Sequence, residues 1–230
     1  MIKAFVNWSS GKDAAFACWQ VLQQQKLPVH TLLTTLSEQY NRVSMHGVRE
    51  EMLNRQAESL GLPLKKIYLP EQADMAAYEK IMDGAVRAFK SQGYTHAVFG
   101  DIFLEDLRKY REEKLKEHDI QCIFPLWNRP TSELLKDMLD AGFRMVIACT
   151  SGKHFDSSVC GRVIDYEFLN HIPKGVDACG ENGEFHTFVF DGPIFSKPVR
   201  YQLGEIVERT YPATEQMEAS SFTYADLLPV

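Results

Sequence analysis

No run of apolar residues in this sequence approaches the roughly 20 that a helix needs to cross a bilayer. The longest, such as Met145-Val146-Ile147-Ala148-Cys149, is far shorter, so no membrane span is expected. Positive charge is not in excess: 25 Lys+Arg stand against 31 Asp+Glu, a formal net of −6, which does not favour nucleic acid as a partner. Cysteine is sparse, five in number and irregularly spaced, with no C-x-x-C pair, so reduced thiols in a cytoplasmic protein are expected. Cys149, His154, Cys160, His171 and Cys179 match no zinc-ligand spacing. The N-terminal residues MIKAFVNWSSGKD turn polar too early for a secretory leader.

What is present is ordinary globular composition, with 45% hydrophobic and 24% charged residues over 230 positions. A chain of this length buries enough apolar surface to fold without disulfides or a structural metal. Disordered, collagen-like and disulfide-stapled classes are thereby excluded.

Short apolar runs alternate with helical stripes through the first two thirds of the chain. Strands are expected at 2–8, 29–35, 64–69, 96–100, 121–125 and 145–149. Helices are expected at 12–25, from Val48 to Leu60 with Gly61 as its stop, from Ala77 to about Gly93, at 104–118, and around Leu134 to Leu139. This alternation predicts α/β architecture, a parallel sheet with helices on both faces. Ligands in such sheets sit beyond the carboxyl ends of the strands.

The pattern changes after residue 150. A helix is expected somewhere in 157–170, and strands at 185–191 and 199–209 around the turn Asp191-Gly192-Pro193. The predicted organisation is a domain at 1–150, a small α+β appendage at 151–210, and a tail at 211–230 without clear periodicity.

The first chemical motif is Ser9-Ser10-Gly11-Lys12-Asp13, directly after the first strand and opening a helix. Small residues at a helix N-terminus expose backbone N–H groups that, with the helix dipole, favour an anion, and Lys12 adds a full charge. The Walker pattern fails, because its first glycine would fall at Val6 and Asp13 occupies the Ser/Thr place. The pattern S-G-G-x-D-S of pyrophosphate loops fits at Ser9, Gly11 and Asp13, with Ser10 and Ala14 departing from it. The plain alternative, a helix cap with an exposed first turn, is weakened by the position after the first strand.

The second motif is Gly180-Glu181-Asn182-Gly183-Glu184-Phe185-His186-Thr187. Paired carboxylates on a glycine-bent segment suit Mg²⁺ coordination or the holding of an amine nucleophile, and His186 could donate to a substrate oxygen or take a proton; a solvated acidic turn is the other reading. His46 lies in the loop Ser44–Gly47 after the second strand, where a nucleotide contact and a capping loop are both open. Arg108 and Arg111 share a helix face, with Glu105, Asp106, Glu112 and Glu113 available to pair with them. Ser151-Gly152-Lys153 repeats Ser-Gly-Lys without the following Asp.

Taken together, the loop at 9–14, Met45-His46-Gly47-Val48, Gly100-Asp101-Ile102 and the 180–187 block resemble the diphthine–ammonia ligase family. That family belongs to the pyrophosphate-loop ATPases, or adenine nucleotide alpha hydrolases, of Rossmann-like fold. The resemblance implies ATP cleavage between the α- and β-phosphates, adenylation of a carboxylate, and amidation by ammonia. In the eponymous ligases the carboxylate is protein-borne diphthine; a small metabolite is the other candidate here. It further implies that Ser9, Ser10, Gly11, Lys12, Asp13, His46, Gly100 and Asp101 serve ATP, that Asp13 binds Mg²⁺, and that Glu181, Glu184 and His186 serve the acyl and ammonia half. Sulfur transfer to tRNA and ATP binding without turnover are the competing readings. The first would want a reactive cysteine pair and a basic surface.

Overall fold

The computed structural model describes residues 2–23, 27–70, 74–213 and 219–230. Five short strands make a parallel sheet: β1 (Ala4–Asn7), β2 (Val29–Ser37), β4 (Leu64–Leu69), β5 (His96–Val98) and β6 (Gln121–Ile123). Their order is β4-β2-β1-β5-β6, every neighbouring pair parallel. A two-residue strand, β3 (Arg42–Val43), turns back antiparallel on the end of β2. The order reverses at β1, so the crevice between the ends of β1 and β5 is the place where such sheets take ligands.

The helices are α1 (Lys12–Gln23), α2 (Glu50–Leu60), α3 (Met75–Ser91), α4 (Glu105–Lys116), α5 (Thr131–Asp140) and α6 (Tyr166–Asn170). The end of the 12–25 helix expected from sequence lies outside the described residues. Gly61 closes α2 in the left-handed region, φ +66°, its N–H returning to the carbonyls of Ala57 and Glu58. The Asp74 carboxylate caps α3 by accepting from the Ala77 N–H. One core joins α1, α2 and α5 to the sheet through Val6, Trp8, Phe16, Leu32 and Leu134; a second lies under α3 around Phe5, Leu33, Val86, Phe89 and Phe99.

Three expectations fail here. The run around Met145 extends to β7 (Arg144–Ser151) but does not join the parallel sheet. It pairs antiparallel on both sides, with β8 (Phe185–Asp191) and β10 (Ser220–Pro229), and β9 (Tyr201–Tyr211) completes the order β8-β7-β10-β9. An apolar run specifies burial and not its partner; between two antiparallel neighbours β7 satisfies its backbone as fully as it would beside β6. The 211–230 tail contains β10, whose Thr223, Ala225 and Leu227 are buried. Its Thr-Tyr-Ala-Asp-Leu segment alternates inside and outside too briefly to stand out in sequence. The helix expected in 157–170 breaks into a 3₁₀ turn at Ser157–Val159 and α6, because Val163 bridges back to Val146 and extends the chain between them.

Gln56, on α2 and fully buried, ties the two sheets together. Its Oε1 accepts from Trp8 Nε1 at 2.9 Å, and its Nε2 donates to the carbonyls of Ser10 at 3.0 Å and Val189 at 2.6 Å. Gln56→Leu leaves the buried Trp8 N–H without its acceptor and removes one donor from each of the Ser10 and Val189 carbonyls, the first of which keeps the Val189 N–H. It should destabilise the protein by at least about 2 kcal/mol, read by urea denaturation.

Candidate functional site

The loop after β1 is shaped by a strand some 180 residues away. Ser10 is fully buried at φ +70°, a backbone conformation rare for a residue with a side chain. Its carbonyl accepts from the Val189 N–H at 3.0 Å, besides Gln56. The Lys12 N–H donates to Thr187 Oγ1, also at 3.0 Å. That amide is therefore committed to β8, contrary to the expectation that all the amides of the loop are free for an anion. Gly11 is needed for close approach: a Cβ there would lie 2.8 Å from His46 Cε1 and 3.2 Å from the Thr187 carbonyl oxygen. Gly100 is needed likewise, since its Cβ would lie 2.7 Å from the Ala14 nitrogen and would cover the first turn of α1.

Lys12 is 2% exposed, and its ammonium donates to both Asp13 oxygens, at 2.9 and 2.8 Å, and to the Cys179 carbonyl. Burial opposes the charge, but Asp13, with Cys179 and Glu181, together outweighs it and holds Lys12 above its ordinary value. Glu181 reaches back to the end of β5, where Oε1 accepts from the Ile102 N–H at 2.7 Å. Burial, with Asp13 and Asp101 nearby, pushes the Glu181 carboxyl up to about 7 against the pull of that N–H and of Lys12. Glu184 behaves oppositely. It is buried inside its own loop, accepting from the N–H groups of Asp177 and Asn182 at 3.0 Å each and from Asn182 Nδ2 at 3.1 Å. Burial alone would raise it; those donors outweigh burial and hold it below the ordinary value.

The rings of His46 and His186 lie 4.5 Å apart, centroid to centroid. His46 Nδ1 is 3.2 Å from the Thr187 carbonyl, which can only accept, so Nδ1 carries the proton and Nε2 keeps a lone pair. Burial pushes both imidazoles down, helped for His46 by His186 and for His186 by Lys12; His186 reaches about 4. Both rings are neutral at pH 7. The Ser44–Gly47 loop rests on β10, since a Cβ on Gly47 would lie 2.6 Å from the Tyr224 ring.

These residues line one cleft of about 480 Å³ at the carboxyl ends of β1, β2 and β5. Of the residues singled out in sequence, Ser9, Lys12, Asp13, His46, Gly100, Asp101, Glu181 and His186 line it. Ser10 and Gly11 sit behind its wall and Glu184 inside its own loop. Arg108 does not line the cleft; it pairs with Glu112 at 2.8 Å over the rings of Phe124 and Trp127. Arg111 does; for both arginines the sequence left open a phosphate or acidic-substrate contact beside a solvated face. Arg111 turns from its helical neighbours to Asp101, Nε to Oδ2 at 3.0 Å, across the Phe99 ring. Its place three residues after Arg108 was the available signal. Asn7, Thr35 and Tyr78 were missed altogether, and Thr187 was named in the second motif without a role. Among the described residues no cluster of three or more His, Cys, Asp or Glu could hold a metal ion by itself. The Asp13 carboxylate faces Lys12.

Comparison with known proteins agrees over both parts of the chain. The family model for the diphthamide synthase N-terminal domain matches residues 2–121, and that for the C-terminal domain matches 130–217. A diphthine–ammonia ligase from Danio rerio is 22% identical over 223 residues, 86% of this chain and 86% of that one. The Homo sapiens diphthine–ammonia ligase is 30% identical over 110 residues, covering 45% of this chain and 41% of the human one. A U34-tRNA thiolase from Methanococcus maripaludis, solved with its [4Fe-4S] cluster, aligns at a TM-score of 0.39 and 15% identity over 60% of this chain and 57% of that one.

Glu184→Gln should cost about 1–3 kcal/mol of stability, because the amide nitrogen it introduces cannot accept from the N–H groups the carboxylate now serves. A carboxyl held below its ordinary value near 4.5 contributes its stability above that pH and loses it as pH falls through the lowered value. The gap in melting temperature between parent and variant should thus be full at pH 7 and narrow below about pH 4.5.

Proposed function

Because the chain belongs to the diphthamide synthase family, we propose that it is an ATP-dependent ligase that adenylates a carboxylate and amidates it with ammonia. One observation carries the reading: the lysine-bearing loop after β1 and the acidic loop at 177–187 meet in a single cleft at the switch point of the sheet.

The division of labour follows from charge. Lys12 is a buried cation at the N-terminus of α1, suited to the β- and γ-phosphates. To reach them it exchanges the Asp13 carboxylate for phosphate oxygens. Gly100 keeps that first helical turn open. Leu33, Tyr78, Met82 and Phe99 give the cleft an apolar side suited to the adenine ring. Mg²⁺ would arrive with the triphosphate, Asp13 its protein carboxylate and the phosphates supplying the rest; it would neutralise phosphate charge. The carboxylate oxygen attacks the α-phosphorus, the bond to the bridging oxygen breaks, and pyrophosphate leaves. Ammonia then attacks the acyl carbon and AMP leaves. Ammonium must first lose a proton. Glu181, raised to about 7, is matched to accept it near neutral pH, whereas the neutral imidazoles of His46 and His186 offer lone pairs without adding positive charge.

The carboxylate is protein-borne diphthine or a small metabolite. Sulfur transfer is disfavoured: Cys179, the one cysteine of the cleft, is buried, its thiol is pushed up by burial, and it donates to the Thr131 carbonyl.

Turnover with the carboxylate and ammonia should release AMP and pyrophosphate; accumulation of ADP on chromatography would contradict the reading. Lys12→Met should weaken ATP binding by about 1.5 kcal/mol or more in calorimetry, with folding checked by circular dichroism. Glu181→Gln should leave ATP affinity undiminished, or raise it through the lost negative charge, and lower amide formation by about 10²- to 10⁴-fold. A variant that forms amide at the parent rate removes Glu181 from the chemistry.

A further inference from the structure

β9 is the end strand of the antiparallel sheet; Tyr201 and Tyr211 pack on Phe190 and Phe222, but most of its side chains are more than a third exposed. Leu203, Ile206, Val207 and Tyr211 are 43%, 43%, 39% and 47% exposed. This eleven-residue edge is rich in β-branched and aromatic side chains and has no proline; its protective features are a bulge in the ladder with β10 near Gly204 and the charges of Glu205, Glu208 and Arg209, of which Glu205 and Arg209 are of opposite sign and can pair across a two-fold axis. Its partner β10 covers one side only. Arg209 leans over the Tyr40 ring at 5.5 Å, and the remaining edge faces outward.

The sequence of this edge is complementary to itself. We propose that two copies of the chain pair β9 to β9 antiparallel about a two-fold axis at Val207, joining two four-stranded sheets into one of eight. The register follows from the ladder. Opposed residues in an antiparallel pair alternate between hydrogen-bonded and non-hydrogen-bonded sites. A two-fold axis maps each opposed pair onto another of the same kind, so the axis must pass through a residue facing its own copy. An axis at Glu208 sets two carboxylates against each other. An axis at Ile206 leaves Glu205 facing Val207 and Arg209 facing Leu203. An axis at Val207 sets Glu205 against Arg209 of the other copy, twice, and Leu203 against Tyr211, twice, with Ile206 opposite Glu208 on the other face. Only that arrangement of the three pairs opposite charges, and it also pairs an aliphatic with an aromatic side chain. The same patch serves both copies, as closed two-fold dimers require. The pairing lies in the second sheet and uses no residue of the cleft, so it is independent of the reaction proposed above.

Sedimentation and light scattering of the full chain decide the matter. The parent should have twice the monomer mass of 26.3 kDa at micromolar concentration. Glu205→Arg and Arg209→Glu should each raise the dimer dissociation constant by about tenfold or more, since each turns two attractions into two repulsions. The double swap, E205R/R209E, should restore the dimer, which a merely destabilised strand would not do. Val207→Cys gives a second reading: opposed Cα atoms at the axis lie about 4.5–5.5 Å apart, within disulfide range, so mild oxidation should yield a covalent dimer. A monomeric parent, single variants that dimerise like the parent, or no cross-link at Val207→Cys would each overturn the proposal.

Discussion

The site depends on the grip of β8 on the loop after β1. A loop that holds phosphates must keep a strained shape when no phosphate is there. Here Ser10 is held at φ +70° because its carbonyl is claimed by the Val189 N–H and Gln56, while the Lys12 N–H is fixed to Thr187. Strain of this kind costs of order 1–3 kcal/mol and persists only where its surroundings over-determine it. Buried hydrogen bonds from two other elements do so. The same strand carries His186 and closes the acidic loop, so one ladder positions both halves of the cleft. The second sheet is thus part of the cleft and not an accessory to it.

The outer end of that sheet matters for a related reason. β10 backs the Ser44–Gly47 loop through Tyr224 and anchors to Arg42 and Arg49 through Asp226, with contacts of 2.6 to 2.9 Å. His46 therefore reaches Gly11 and Thr187 on a support that comes from the last dozen residues of the chain. Gly11 and Gly47 are both compelled by packing from distant segments: an imidazole against the first, a phenol ring against the second.

Sequence made the parallel half of the fold legible because each βαβ unit is local. Period-two and period-3.6 patterns, a glycine stop at Gly61 and the turn after β1 all lie within a few residues of what they specify. Lys12 and Asp13 stood out by type and by position after the first strand, Glu181 and His186 by type on a glycine-bent segment, and Asp101 through the family resemblance. Sequence did not show the pairing of β7, whose partners lie some 40 and 75 residues further along, or the strand β10, whose buried face is three residues long. Nor could residue type separate Glu181 from Glu184. Both are acids on one glycine-bent turn; one carboxylate crosses to the Ile102 N–H at the cleft, the other turns in to organise the turn. That choice is made by which backbone N–H groups are left unpaired nearby, a property of the folded loop.

The electrostatics of the cleft link its two halves. Lys12 and Arg111 face Asp13, Asp101 and Glu181, three carboxyls against two fixed cations. Burial raises both Asp13 and Glu181, and Glu181, which lacks a cation of its own, is brought to about 7. In the proposed reaction this has a consequence for order. Phosphates that draw Lys12 from its carboxylate partner leave Glu181 facing more uncompensated negative charge, and its affinity for a proton rises further. A base that strengthens when the phosphates are in place is most effective at stripping ammonium while the acyl-adenylate is held. Departure of pyrophosphate returns Lys12 to Asp13, lowers that affinity and lets the proton go. The buried lysine would then act twice, once on the leaving group and once, through its absence from the carboxylates, on the base.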